Sequence, residues 1–191
     1  MVDMRLTDEQ LELQSLVREY SREVLKPIAA ECDRKSQSDP AGCFPLDALK
    51  AASKLGLRTL GLPRELGGRD IDTLTHCILL EEVMAAEPGF AATFHQVWRL
   101  AQHIGREGTE EQKKKFLIPF AEDDTCLISI GQTEPESGTD NTFPYRGVDG
   151  GIKLSAVKQG GEWVLNGTKL FVACASLARI FIILGRTDPH A

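Results

Sequence analysis

Two threonine hydroxyls, a glycine and three carboxylates crowd into Gln132-Thr133-Glu134-Pro135-Glu136-Ser137-Gly138-Thr139-Asp140, the stretch of this chain best stocked for chemistry. Thr133 and Thr139 each offer a hydroxyl that can donate or accept. Gly138 lets backbone approach a ligand closely, and successive N–H groups in a turn can cradle a phosphate. Pro135 stiffens the chain just after Thr133, so that hydroxyl is held in place. The set suits a dinucleotide cofactor. It equally suits a plain Pro/Gly loop joining two subdomains. Glu134 and Glu136 have the chemistry of acids or bases, or of solvated or hairpin-pairing carboxylates. Neither G-x-G-x-x-G after a strand nor G-x-x-x-x-G-K-[ST] occurs, so Rossmann and P-loop readings fall away. His95, Trp98 and His103 form a second candidate group at helical spacing. They line a pocket or pack a core, and core packing is the plainer reading.

The elements that must position these groups change character at the loop. Before it the pattern is helical. Thr7 to Gln10 reads as a capping box, followed at helical spacing by Leu13, Leu16, Val17, Tyr20, Val24 and Ile28, with Pro27 bending the helix near its end. The polar stretch from Lys35 to Gly42 reads as a loop, and Pro45 as the first position of a helix carrying Leu46, Leu49, Ala52 and Leu55. Gly56 ends that helix. Leu60 to Pro63 reads as an extended link and Glu65 to Gly68 as a turn. The next helix starts at Asp72 or Thr73 and buries Leu74, Cys77, Ile78, Leu80 and Val83; Pro88-Gly89 breaks it. Phe94, Val97, Trp98, Ala101 and Ile104 mark a largely buried helix from about Phe90 to Ile104. Thr109 and Gln112 repeat the capping box for a last helix ending near Pro119 or Ala121.

From Thr125 the pattern turns to strands. Thr125 to Ile130 is β-rich, Ile152 to Val157 alternates, Gly160-Gly161 signals a hairpin, and Glu162 to Leu165 answers it. Asn166-Gly167 marks another turn, Lys169 to Ala173 a strand, and Ile180 to Leu184 a buried strand. The expected fold class is α+β: an all-α bundle of about five helices over 1–122, then a small antiparallel β domain over 123–191. The turn signal at Arg186 to Ala191 leads toward a further strand, so the β domain is expected to be incomplete within this sequence.

Composition narrows the function classes. A net charge of −6, with Lys113-Lys114-Lys115 following Glu110-Glu111, argues against a nucleic-acid arm. No apolar run approaches the roughly 18 residues of a membrane span, and the N-terminus lacks a secretory pattern. The five cysteines, Cys32, Cys43, Cys77, Cys126 and Cys174, form no C-x-x-C pair, and the four histidines complete no metal spacing. They read as buried small side chains in a reducing, cytoplasmic setting, with no metal site.

With these residues in view, the sequence resembles the N-terminal helical and middle β domains of the acyl-CoA dehydrogenase family. T-E-P-x-x-G-[ST]-D stands at Thr133 to Asp140, and G-x-W-V-L-N-G-T-K at Gly161 to Lys169, ahead of an A-R-I-F-I-I-L-G-R-T run. Glu81-Glu82, Gly108 to Lys113 and the order of helices match as well. The resemblance covers essentially the whole chain. It implies FAD against the middle domain, contacted by Ile130, Gln132 and Thr133, by Gly138 and Thr139, and by Phe171, Val172 and Ala173. Thr133 would meet the pyrimidine end of the flavin. Thr139 would lie near the pyrophosphate and near the pantetheine of the acyl-CoA substrate. The acyl chain would enter between the buried helices and the flavin. The implied reaction removes an α proton with a carboxylate and passes a β hydride to the flavin. Electrons then go to an electron-transfer flavoprotein, within a homo- or hetero-oligomer.

Three departures qualify that expectation. The family usually places Thr or Ser where Ala173 stands, so only a backbone contact to the flavin remains there. The link from Asn141 to Gly151 is long, and its Pro144-Tyr145-Arg146 either covers the CoA side or is plain surface. The family's C-terminal helical domain, which supplies the catalytic base, has no counterpart here, and no carboxylate in this sequence matches that base. The chain is therefore expected to be part of an FAD-dependent acyl-CoA dehydrogenase. The alternatives are a non-catalytic acyl-CoA/flavin-binding or interaction subunit, or a related flavin oxidase or monooxygenase.

Overall fold

The computed structural model describes residues 5–40, 42–142 and 150–188. The chain separates into two compact units, Met1–Leu127 and Ile128–Ala191. Among the described residues the first is helical and the second carries the strands, as the change of pattern at the loop implies.

Helix α1 (Asp8–Tyr20) opens on the expected capping box. Thr7 Oγ1 accepts from the Gln10 amide at 3.2 Å, and Gln10 Oε1 from the Thr7 amide at 2.9 Å. The ladder then widens into a π-turn over Ser21–Leu25, where the Lys26 N–H reaches the Ser21 carbonyl. Pro27 accounts for it: proline has no N–H to return to Glu23, and the wider turn absorbs the gap. Helix α2 (Lys26–Ser38) follows. Two expectations are corrected here. The extra residue moves the core position from Val24 to Leu25, which is fully buried. The polar residues Lys35 to Ser38 are helical rather than loop.

Helix α3 (Leu46–Lys54) buries Ala48, Leu49 and Ala52, and Pro45 sits at its cap rather than in its first turn. Gly56 ends it at φ +73°. The following segment is turned rather than extended, with the Leu62 N–H on the Thr59 carbonyl at 2.9 Å. Asp72 caps helix α4 (Thr73–Met84) through the Thr75 amide at 2.7 Å. Its buried face is Thr75, His76, Ile78, Leu79 and Val83; Leu74 and Cys77 are exposed, against expectation. Apolar and polar residues are scattered round this helix, with Thr75 and His76 on the buried side, so it carries no periodic mark of which side is inward.

Helix α5 (Pro88–Glu107) is capped by Glu87, and its Phe90, Phe94, Val97, Trp98, Ala101 and Ile104 are buried as expected. Helix α6 (Glu110–Glu122) starts at the second capping box, on Thr109 and Gln112, and runs through Pro119. Trp98 stacks on Phe94 at 5.0 Å and donates its indole N–H to the Leu57 carbonyl at 2.7 Å. Arg58, 1% exposed, donates to the Phe120 carbonyl at 2.8 Å, the Cys126 carbonyl at 3.2 Å and Ser53 Oγ at 2.8 Å. A buried guanidinium thus satisfies the Phe120 carbonyl, which the end of α6 leaves open, and the Cys126 carbonyl beyond the helix. Of the five cysteines only Cys126 is buried and Cys77 is exposed, so the small-buried reading holds for one of them.

In the second unit, β1 (Ile128–Gly131) pairs in parallel with β4 (Ile180–Ile183), Ile130 opposite Ile182. β2 (Ser155–Gln159) and β3 (Glu162–Asn166) form the expected antiparallel hairpin. Its turn is Gly160-Gly161 at φ +54° and +92°, a conformation that glycine reaches without strain. Two expectations fail. β4 is only half-buried, and Lys169 to Ala173 joins no ladder. Among the described residues no helix is long and apolar enough to cross a membrane, and no three His, Cys, Asp or Glu side chains converge as a metal set.

Candidate functional site

The stretch from Gln132 to Asp140 is a built turn. Glu134 and Ser137 exchange backbone hydrogen bonds at 2.8 and 3.3 Å, with Pro135-Glu136 between them. Proline at the second position of such a turn presets its dihedral. The turn is anchored from inside. Glu134 accepts the Lys153 and Leu154 amides at 2.6 and 2.9 Å and the Lys169 ammonium at 2.7 Å. The two side chains of this ion pair are 3% and 7% exposed, Glu134 the lower. Burial opposes charging of Glu134. The hydrogen bond from Lys169, the two amides and the Lys169 charge outweigh it, so the carboxyl titrates below its ordinary range. Glu134 is therefore the paired carboxylate of the two readings offered by the sequence. Lys169 also donates to the Gln132 carbonyl at 3.0 Å.

Asp140 closes the other side. Its carboxylate accepts the Gly138 amide at 2.7 Å, the Gly151 amide at 3.2 Å and the Ser137 hydroxyl at 3.2 Å. The Gly138 amide lowers its pKa most, with help from Gly151 and Ser137 against burial. The Gly138 amide, expected from the sequence to be open to a phosphate, is thus already engaged. Thr139 is exposed and begins a single turn of 3-10 helix, Thr139–Thr142. Gln132 is tied to Asn141, giving through Nε2 at 2.7 Å and accepting at its carbonyl at 3.2 Å. Pro144-Tyr145-Arg146 lies outside the described residues.

The structure brings the two predicted halves of the site together within the second unit. The Leu170 N–H donates to the Thr133 carbonyl at 2.8 Å, and Ser129 Oγ to the Ala173 carbonyl at 2.6 Å. The segment with Phe171, Val172 and Ala173 therefore runs beside β1 and the loop that follows it. Phe171 is 90% exposed at φ +54°, and Cys174 stands at φ +57°. A phenylalanine in the left-handed region and open to water costs about 1 kcal/mol, with no local contact to offset it. Such an outlier motivates a functional reading. Among the described residues, the Thr133 hydroxyl and the Ala173 N–H make no hydrogen bond. Two unengaged donors and an exposed aromatic ring flank one strip of backbone. That donor set fits the edge and face of a planar, electron-accepting heterocycle such as a flavin. Ile130, half-buried on β1, and Val172, half-buried, lie on the same strip.

Sequence reasoning missed Lys169 and Ser129. The signal for Lys169 was present: a lone cation in a stretch otherwise apolar or turn-forming needs a carboxylate partner when it is buried. Ser129 carries no comparable mark. In the helical unit Trp98 packs in the core, while His95 and His103 are exposed, so the packing reading is corrected for the histidines. His95 instead faces His76, which the pattern did not single out, with ring nitrogens 3.3 Å apart.

A family profile described as "Acyl-CoA dehydrogenase, N-terminal domain" matches residues 7–124. The short-chain-specific acyl-CoA dehydrogenase of Clostridium acetobutylicum is 33% identical over 189 residues, covering 98% of this chain and 46% of that protein. The butyryl-CoA dehydrogenase structure from Megasphaera elsdenii superposes with TM-score 0.78 at 30% identity, covering 98% of this chain and 46% of that one. A nitroalkane oxidase variant crystallized with 1-nitrooctane gives TM-score 0.83 at 28% identity, over 98% of this chain and 45% of that one. The chain spans about half the length of the curated relatives it matches.

Proposed function

The chain belongs to the acyl-CoA dehydrogenase family, and from that premise we propose that it forms the flavin-facing part of an FAD-dependent acyl-CoA dehydrogenase. When bound, the flavin supplies the hydride-accepting centre for α,β-dehydrogenation of an acyl-CoA thioester. The observation that carries this reading is the strip on which Thr133 and Ala173 hold donors with no partner among the described residues, beside exposed Phe171. The Thr133 hydroxyl serves the end of the ring where negative charge gathers on reduction, and a fixed donor there favours the reduced form. Ala173 contributes its N–H alone. Phe171 and Val172 bound the ring; Ile130 supports it from β1. Gln132 acts through Asn141, holding the loop's shape, and Gly138 leaves the loop's outer side open, since nothing lies within 4 Å of where its Cβ would stand. Thr139 serves the pyrophosphate and the pantetheine. Electron-transfer flavoprotein is the proposed electron acceptor, and the assembly a homo- or hetero-oligomer. The proton acceptor is expected from family architecture beyond the matched half, because Glu134 is held by Lys169 and two amides.

The test is reconstitution. The chain, mixed with the separately expressed C-terminal helical half of a relative, should take up FAD and oxidise an acyl-CoA. A colourless, inactive pair would overturn the proposal; colour without turnover would favour a non-catalytic binding subunit. The similarity to a nitroalkane oxidase supports one further reading, an oxidase, which rapid reaction of the reduced pair with oxygen would favour.

A further inference from the structure

Two thiols face one cavity in the helical unit. Cys32 stands on α2 and Cys43 in the irregular stretch that enters α3; both are half-buried free thiols. Both line a cavity of about 610 Å³, with Lys35, Phe44, Asp47 and Lys50 among its walls. The pair meets near the head of α5. Phe44, next to Cys43, stacks on buried Phe90 with ring centroids 5.6 Å apart. Cys32 lies close enough to Glu87, the cap of α5, and to Cys43 for both to act on its charge. Burial raises the Cys32 pKa most, then Glu87, Cys43 and Glu31, against the pull of Lys35. Cys43 gives its S–H to the Pro40 carbonyl at 3.2 Å, and a thiol is a weak donor that is readily released.

A cysteine packed as a small apolar group, as Cys126 is, keeps its sulfur sealed in the core. Here two sulfurs open on one space instead. Cys43 lies outside any helix, so its backbone adjusts to the geometry of a cross-link without breaking a hydrogen-bond ladder. Helix α2 buries no residue of its own, so a bond from Cys32 would hold a helix that packing holds little. We propose that Cys32 and Cys43 form a modification site: a low-molecular-weight disulfide such as glutathione disulfide oxidises them to a disulfide that ties α2 to the segment entering α3. The cavity falls in the range of roughly 300–1,000 Å³ that admits small molecules, and the ammoniums of Lys35 and Lys50 suit a peptide disulfide bearing carboxylates. Cys43, as thiolate, attacks one sulfur of glutathione disulfide; the S–S bond breaks and one glutathione leaves. Cys32, held protonated longer, then loses its proton, attacks the Cys43 sulfur of the mixed disulfide and expels the second glutathione. The two thiol protons pass to the two glutathiones. Glutathione disulfide gains two electrons and the cysteine pair loses two. The site lies wholly within the helical unit and does not depend on the flavin reading.

The 191-residue chain is equilibrated with reduced and oxidised glutathione at stepped ratios, both folded and in concentrated urea. Remaining thiols are blocked with N-ethylmaleimide and the chain is digested with trypsin. Trypsin cuts after Arg34 and Lys35, between the two cysteines, so the bond is read by mass as a linked pair of peptides. In the folded chain the linked pair should reach half-formation at a [GSH]²/[GSSG] value about tenfold or more above that of the unfolded chain, because folding raises the effective concentration of one thiol at the other. Phenylarsine oxide, which bridges two neighbouring thiols, should protect Cys32 from the maleimide in the folded wild type and fail to do so in Cys43→Ser. A linked pair that needs as oxidising a buffer folded as unfolded would overturn the site. So would separate glutathione adducts on Cys32 and Cys43 without linkage, or arsenical protection of Cys32 that persists in Cys43→Ser.

Discussion

Replacing Lys169 by methionine should be the most informative single perturbation of the second unit. Methionine keeps the apolar stem and removes the ammonium. Two hydrogen bonds are lost, to Glu134 Oε1 at 2.7 Å and to the Gln132 carbonyl at 3.0 Å. The second loss is softened, because Asn141 Nδ2 still donates to that carbonyl at 3.2 Å. The first is not, since Glu134 is left as a buried charge. Breaking a buried ion pair by removing one partner costs about 3–5 kcal/mol. The Lys153 and Leu154 amides remain on the carboxylate, which puts Lys169→Met at the low end, about 3 kcal/mol. That is roughly a hundredfold in the unfolding equilibrium. Urea titration at pH 7, followed by amide resonances of β2 and β3, reads it directly. A loss under about 1 kcal/mol, typical of an exposed pair, would show that water screens the site and refute the reasoning.

The pH dependence supplies a second reading of the same variant. Glu134 has a folded pKa below its ordinary 4.5. Its contribution is therefore present above about 4.5 and lost as pH falls through the folded value, where the unfolded state binds the proton first. Lys169→Met removes much of what lowers it, while burial still raises it. The acid loss of stability attributable to Glu134 should shrink or reverse in the variant. The double variant Glu134→Leu/Lys169→Met should not recover wild-type stability. Apolar replacement of a buried pair can be neutral when both ions vanish, but here it orphans the Lys153 and Leu154 amides.

Arg58→Met should cost the helical unit about 3–5 kcal/mol in thermal or urea unfolding, because it leaves the Phe120 and Cys126 carbonyls without their buried donor. A loss as small as that of a surface substitution would show those carbonyls to be hydrated. His76, with a folded pKa of about 4 against 6.5, favours its neutral form when folded. The helical unit should lose stability progressively as pH falls from about 6.5 to about 4, and His76→Phe should flatten that stretch of the curve.

The sequence showed most where one local rule acts alone. Both capping boxes, the Gly160-Gly161 hairpin and the buried stripe of α5 follow from turn chemistry and from a strongly one-sided helix. It showed least where two rules compete. Periodicity across Val24 assumes 3.6 residues per turn, and Pro27 forces a π-turn that shifts the core to Leu25. Helix α4 has no one-sided apolar stripe, so its inward face is chosen by its neighbours. Lys169 to Ala173 has β-forming composition, yet Phe171 and Cys174 sit at positive φ, which no propensity scale foresees. In the site, residue types were legible and partnerships were not. Thr133 could be named from its motif, but that Glu134 is held by Lys169, 35 residues away, depends on how the chain folds back.

That partnership decides what the loop can do. Of its three carboxylates, Glu134 holds two amides and an ammonium, and Asp140 holds two amides and a hydroxyl. Each is acid-strengthened and already fully occupied, the opposite of a base poised to take a proton near neutral pH. Glu136 is exposed at the centre of the turn. The acidic residues thus fix the loop in one shape and leave the hydroxyl of Thr133 as its uncommitted donor. Under the proposed reaction, a loop so arranged would position the ligand and supply hydrogen bonds to it, and the proton acceptor would be a carboxylate outside the loop. Accordingly, Glu134→Gln should disturb folding and flavin uptake together. Loss of turnover with stability and flavin binding intact would instead mark Glu134 as the proton acceptor and overturn this division of roles.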